Sequence, residues 1–520
     1  MSTDKTYLDR LNQVISAGLN LTGGQKGIEK ESLRVTESGE LAGTPHPIGL
    51  GSTLTHPYVT TDFSENLVEL ITAPFLDLKE TLNSLSLIHQ EVYRHLDQER
   101  LWCTSMPCLM RGEEDIPLAR YGDSNVGKMK TTYRRGLGYR YGRIMQTISG
   151  VHFNYSVPQS FWSGYKDLLK SDLSSQDFAS DQYFALVRNF QRHGWIISYL
   201  FGSSPAVCKS FLGRSSKGFL DLHGNTYYGK YSTSLRMSDI GYNNQNQATL
   251  RVSTNSIDEY VANLSRAIQT PFPPYERIGV KVDGEYRQLN TNILQIENEF
   301  YSFIRPKRSA FSGERPTTAL QERGVEYVEV RALDVSPYDP LGVNEQQLRF
   351  VEAFLLYCLL SPSPPMDEEE VAMVKYNLGA SACCGRAPGL ELQRKSGVVK
   401  LVDWAREICE SVAHIAEAME ASETGYKAAV QTQLEVLEHP RHTPSAKVLQ
   451  ELDEREESFF DFAHRKSREH EDYFRGLPLT LDQQANFERL ASESLQQQRD
   501  IEASDEISFD EYLARYFNGA

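Results

Sequence analysis

Gly27-Ile28-Glu29-Lys30-Glu31-Ser32-Leu33-Arg34-Val35 sets two carboxylates one residue apart. In an extended chain successive side chains point to opposite faces, so Glu29 and Glu31 project from the same side of a sheet. Like charges this close repel, and a bound cation relieves the repulsion. Hard oxygen ligands of this kind suit magnesium or manganese better than zinc. The same pattern also decorates the solvated face of surface strands, so its meaning depends on what the rest of the chain places beside it.

Three further segments repeat the theme. Val325-Glu326-Tyr327-Val328-Glu329-Val330-Arg331-Ala332-Leu333 puts Tyr327, Glu329 and Arg331 on one strand face and Val328 and Val330 on the other. Ser149-Gly150-Val151-His152-Phe153-Asn154-Tyr155-Ser156-Val157 alternates likewise, with His152 and Asn154 opposite Val151 and Phe153. Thr61-Asp62-Phe63-Ser64-Glu65-Asn66-Leu67-Val68-Glu69-Leu70-Ile71-Thr72 offers Asp62 and Glu69, with helix and strand readings in competition because Glu65 and Glu69 would also share a helix face. Taken singly, His152 reads as a core histidine and Glu329 with Arg331 as a structural ion pair. Taken together, Glu29, Glu31, Asp62, Glu69, Glu329, His152 and Arg331 are what a site handling a metal-bound polyphosphate needs, the metal bridging phosphate oxygens and the arginine stabilising the transferred group.

Composition frames that site. A chain of 520 residues exceeds a single small core, and the expected organisation is a large domain over 1–360 followed by a helical region over 361–520. The boundary is the tract Ser361-Pro362-Ser363-Pro364-Pro365, followed by Asp367-Glu368-Glu369-Glu370 as a helix start. An opening helix is expected around Tyr7 to Ala17, and Leu401, Trp404, Ile408, Val412, Ile415 and Met419 recur at helical spacing. Lys447 to Phe474 and Leu481 to Tyr516 behave alike. The net charge of −16 and pI near 5.3 argue against nucleic acid and anionic membranes as partners, both of which favour a basic surface. Basic residues cluster in Lys128 to Arg143 and in Arg305-Pro306-Lys307-Arg308, where an anionic substrate would be compensated. The seven cysteines show no framework, the N-terminus has no apolar signal region, and the longest apolar run, Val351 to Leu360, is too short to cross a bilayer. Reduced thiols and a cytoplasmic location are expected. Gly122-Asp123-Ser124-Asn125-Val126-Gly127-Lys128-Met129 imitates a P-loop, but Met129 replaces the required hydroxyl and no apolar strand precedes it, so it reads as a surface or substrate-facing loop.

As a set, Gly27 to Val35, Thr60-Thr61-Asp62-Phe63, Met145 to His152, Leu294-Gln295-Ile296-Glu297-Asn298-Glu299 and Glu326 to Arg331 closely resemble the proteobacterial-type glutamate–cysteine ligases over roughly residues 20 to 360. The resemblance implies an α+β fold like the catalytic domain of glutamine synthetase, a curved antiparallel sheet with helices packed outside. It implies that Glu29, His152 and Glu329 hold one metal and Glu31, Asp62 and Glu69 a second, with a third shared among neighbouring carboxylates. Tyr133, Arg134, Ile148, Arg236, Tyr242 and Tyr301 match positions lining the family's amino-acid pocket, Gln146 and Asn298 match positions near the nucleotide, and Arg331 matches the arginine that meets an acyl phosphate. The implied reaction uses ATP and Mg2+ or Mn2+ to join the γ-carboxylate of L-glutamate to the amine of L-cysteine, in a monomer. The alternatives are a ligase for another amine and a metal-dependent phosphohydrolase.

Overall fold

The strand β1 (Lys26–Thr36) organises the chain. The computed structural model describes residues 3–107, 109–212, 218–241, 250–311 and 313–518. Around β1 lie β2 (Val59–Thr61), β3 (Leu67–Ile71), β4 (Glu99–Leu101), β5 (Gly150–Tyr155), β6 (Ile304–Lys307) and β7 (Tyr327–Asp334). They form one seven-stranded sheet in the order β6-β7-β5-β1-β3-β2, with β4 alongside β1, and every pairing is antiparallel. The expected antiparallel sheet with outer helices is therefore what the chain forms. The competition between helix and strand over residues 61–72 resolves to a hairpin, β2 pairing with β3 through Thr60–Glu69 and Thr61–Val68, and β3 pairs in turn with β1, Glu31 opposite Glu69.

Alternation decides which face of the sheet is which. Ile28, Val68, Leu70, Val151, Phe153, Val328 and Val330 are fully buried in one large apolar cluster. Helices cover that face. The helix Glu345–Leu360 begins with a capping box at Asn344 and Gln347 and buries Phe350, Phe354 and Leu355 there. The helix Leu401–Glu420 adds Ile408, Val412, Ile415 and Met419 to the same cluster, so the periodic residues read from the sequence are its packing face. Each such side chain contributes about 1.5–3 kcal/mol when fully buried. Lys26 also enters this face, pairing with Glu352 at 3.0 Å, with neither side chain exposed.

The other face carries Leu33, Val35, Phe63 and Leu67 into a second cluster with Trp102, Phe459 and Phe462. Glu29 and Glu31 point to this face. Helix Asn125–Tyr141 stands beside it, capped by Ser124, whose hydroxyl accepts from Gly127 N. The P-loop imitation is this helix entry. Its backbone amides are taken by C-terminal carboxylates, Asp123 N donating to Glu502 and Asn125 N to Asp505. The helix expected at Tyr7 to Ala17 spans Thr3–Ser16, and Asp367 caps Glu368–Cys384 as expected. Cys208 is disulfide-bonded, which corrects the expectation that all seven cysteines are reduced; pairings depend on proximity in the fold, which spacing does not reveal. Among the described residues no helix is long and apolar enough to cross a membrane.

Candidate functional site

The register of β1 builds the site. Glu29 lies directly opposite His152 of β5, and Glu31 directly opposite Glu69 of β3, so four ionisable side chains share one sheet face. Glu329 of β7 pairs with Asn154 of β5, bringing the fifth. The pairing of β7 with β5 shifts between Val330 and Leu333, and Arg331 sits at that bulge beside His152. Bulges redirect side chains in this way.

His152 is the hub. Its Nδ1 is 3.1 Å from Glu29 Oε2 and 3.6 Å from Glu329 Oε1, and its Nε2 is 3.8 Å from Glu31 Oε1. Asn154 donates to Glu29 Oε1 at 2.9 Å, and Gly150 N donates to Glu31 Oε2 at 2.7 Å. Arg331 Nη1 donates to Glu329 Oε1 at 2.8 Å, while Lys307 Nζ stands 3.5 Å from Glu329 Oε2.

Charge is distributed unevenly. Burial pushes the Glu29 carboxyl up, but the hydrogen bond and charge of His152 overcome it and hold the group below its usual range. Burial acts on Glu329 too, and Lys307, Arg331 and Arg305 hold it well below. Glu31 is raised by burial, and Glu69 is raised further, by burial and then by Glu29, Asp62 and Glu31. Two carboxylates are thus stabilised as anions and two are repelled.

A divalent cation fits this arrangement. Two groups place their ligand atoms within 4.8 Å of one another: Glu29, His152 and Glu329, and Glu31, Glu69 and His152. His152 Nε2 is buried without a hydrogen-bond partner, and a cation there would satisfy it and relieve Glu31 and Glu69. The first group is the one the resemblance implied. The second shares Glu31 and Glu69 with the set the resemblance implied and adds His152, while Asp62 stands near enough for its charge to act on both glutamates. Asp62 faces Arg134, Oδ1 to Nη2 being 3.7 Å, and is 45% exposed.

The other expected residues surround this core. Tyr133 and Arg134 lie on the helix Asn125–Tyr141, where Arg134 stacks over the Tyr121 ring at 4.5 Å. Gln146 Nε2 donates to Tyr301 OH at 3.1 Å, so a position expected at the nucleotide touches one expected at the amino-acid pocket. Tyr301 packs edge-on against Tyr141. Ile148 follows the short helix Ile144–Thr147 and is half-buried. Asn298 is exposed, and its carbonyl accepts from Arg305. Arg236 is buried, donating from Nη2 to Arg331 O at 2.9 Å. Tyr242 lies outside the described residues. Sequence reasoning passed over Asp334, which strict alternation assigns to the face opposite Glu329. The bulge moves it onto the site face, opposite Gly150.

A row of carboxylates, one imidazole and one arginine on an antiparallel sheet is the site of an α+β enzyme with charged substrates, and its relatives place it among the ligases. The family model for glutamate–cysteine ligase matches residues 11–380. The glutamate–cysteine ligase of Alcanivorax borkumensis is 48% identical over 98% of this chain and 100% of that protein, and that of Pseudomonas aeruginosa is 47% identical over 98% and 97%. The crystal structure of the Francisella tularensis glutamate–cysteine ligase in complex with AMP superposes with a TM-score of 0.91 at 38% identity, covering 96% of this chain and 98% of that one. A bifunctional glutathione synthetase from Pasteurella multocida shares the fold, with a TM-score of 0.73 at 24% identity over 94% of this chain and 58% of that one. The chain belongs to the glutamate–cysteine ligase family.

Proposed function

We propose that this protein joins the γ-carboxylate of L-glutamate to the amine of L-cysteine, forming γ-glutamylcysteine, the first step of glutathione biosynthesis, with ATP converted to ADP. The observation that carries this reading is the convergence of Glu29, His152, Glu329 and Arg331 on one patch of sheet. A carboxylate is a poor electrophile, so the γ-carboxyl must first take the terminal phosphoryl group of ATP: a carboxylate oxygen bonds to the γ-phosphorus, the bond from that phosphorus to the β,γ-bridging oxygen breaks, and ADP leaves. The cysteine nitrogen then attacks that carbonyl, loses a proton and expels phosphate. No protein nucleophile takes part.

Bound Mg2+ or Mn2+, held by Glu29, His152 and Glu329 and by Glu31 and Glu69, would neutralise phosphate charge. Arg331, fixed by Glu329 at the bulge, meets the transferring phosphoryl group and stabilises the charge spread over its oxygens. Arg134 and Arg236 supply cations for the substrate's carboxylates, while Tyr133, Ile148 and Tyr301 wall the amine side. Asn298 and Gln146 flank the nucleotide, and the Gln146–Tyr301 contact joins the two sub-pockets. AMP in the Francisella relative supports nucleotide use. The protein acts as a monomer in the cytoplasm, with residues 1–360 as the catalytic unit and 361–520 as packing helices.

The test measures magnesium-dependent ADP release with ATP and glutamate, adding cysteine, 2-aminobutyrate, ammonia or no amine. Strong release with cysteine and a γ-linked dipeptide by mass spectrometry is expected. Release that ignores the amine would replace the ligase reading with a phosphohydrolase, and preference for another amine would move the substrate.

A further inference from the structure

Asp334 closes β7 on the site face, 5% exposed, and collects donors from two separate segments, Ser203-Ser204 and the turn that begins at Ser234. Its Oδ2 accepts from Ser203 N at 2.9 Å and from Ser204 Oγ at 2.6 Å, and its Oδ1 accepts from Ser234 Oγ at 2.8 Å. The same Oδ1 is 4.0 Å from Arg236 Nη1, an ion pair whose side chains are 0% and 2% exposed. Ser234 also accepts from Met237 N, closing the single turn that carries Arg236. The guanidinium donates hydrogen bonds to Met237 Sδ at 3.2 Å and to the Arg331 carbonyl, and a buried guanidinium is costly without carboxylates nearby, so the Asp334 charge helps hold the head in place.

Gly150 supplies the other half of the cradle. A Cβ at Gly150 would stand 2.1 Å from Arg236 Nη2, so the guanidinium fills the space that only glycine leaves open. Gly150 N holds Glu31, and Arg236 Nη2 holds the Arg331 carbonyl, so the arginine is wedged between a proposed cation ligand and the proposed phosphoryl-binding residue.

We infer that Asp334 is a positioning residue that, with Gly150, locks the Arg236 guanidinium at the edge of the carboxylate row so that it meets a carboxylate of glutamate. This rests on the proposed ligase reading. Ser204 and Ser234 orient Asp334, Asp334 orients Arg236, and Arg236 alone touches substrate.

The experiment compares steady-state kinetics of the full-length wild type with Asp334→Asn, Gly150→Ala and Arg236→Lys, alongside thermal unfolding of each. Asp334→Asn keeps shape and serine contacts but removes the charge, and Gly150→Ala displaces the guanidinium by another route. Both are expected to raise the KM for glutamate roughly tenfold, the scale of one weakened charge-assisted contact, while the KM for ATP moves less than about twofold. Arg236→Lys should reproduce the selective effect, and a double Asp334→Asn/Arg236→Lys variant should add little to it. A merely structural role would lower the melting temperature and shift both KM values together, and that result overturns the inference. An active wild type whose glutamate KM survives Asp334→Asn also overturns it alone. A wild type that makes no γ-glutamyl amide overturns the ligase reading and the inference with it.

Discussion

Glu29 and His152 face each other across one antiparallel rung, Oε2 to Nδ1 at 3.1 Å, while Asn154 holds the other Glu29 oxygen at 2.9 Å. The carboxylate is therefore oriented from two sides before any ligand arrives. Preorganisation of this kind lets a cation bind without reordering the side chains that receive it.

Glu29→Gln removes one anionic ligand and keeps the shape. Turnover should fall at least about a hundredfold, the scale of a damaged metal shell, with the melting temperature changed by only a few degrees. Manganese titration followed by electron paramagnetic resonance should show weaker binding. An unchanged rate would take Glu29 out of the site.

Arg331 donates from Nη1 to Glu329 at 2.8 Å and stands at the β7 bulge. Arg331→Lys keeps the charge and loses the planar fork that reaches two phosphoryl oxygens. A drop in kcat of about a hundredfold to a thousandfold is expected, as when a charge-stabilising donor is removed from other active sites, with a smaller change in the KM for ATP. Equal losses in both parameters would make Arg331 a nucleotide-binding residue instead.

Much of this was legible in the chain because alternation is a local property. Glu29 with Glu31, and Gly150 with His152 and Asn154, lie on the faces their spacing dictated, and Ile408, Val412 and Met419 are the buried stripe of their helix. Register was not legible, since it depends on which strands meet: that Glu31 opposes Glu69 follows from the pairing of β1 with β3. The bulge between Val330 and Leu333 has no signature in the sequence and inverts the face of Asp334. The cysteines show the same limit, Cys208 entering a disulfide that spacing does not announce.

Lys26 and Glu352 tie the sheet to the helix behind it, with Tyr426 OH donating to Glu352 at 2.7 Å. Lys26→Met leaves a buried carboxylate without its cation and should cost about 3–5 kcal/mol in urea unfolding. The double variant Lys26→Met/Glu352→Leu should recover a large part of that loss, because two apolar groups need no partner. A double variant as unstable as the single would mean the pair contributes more than charge compensation.

His56 ties stability to pH through its hydrogen bonds. Its ring Nδ1 accepts from Val59 N at 3.0 Å and from Tyr58 N at 3.2 Å, at the entry to β2, and the residue is 8% exposed. An imidazole that accepts at Nδ1 must leave that nitrogen unprotonated. Burial, opposed only by Glu91, lowers its pKa from 6.5 to about 4. Between those values the unfolded chain binds a proton that the folded chain refuses. The stability is therefore fully present above pH 6.5 and is lost as pH falls toward 4, by up to about 3 kcal/mol for one such group. His56→Asn offers the same backbone amides a carbonyl oxygen that does not titrate here. Urea midpoints at pH 7 and pH 4.5 should therefore fall less for the variant than for the wild type, by about one proton's worth of slope. Parallel falls in the two proteins would place the acid sensitivity elsewhere, with His46, His193 and His470, whose pKa values burial also lowers, as the next groups to replace.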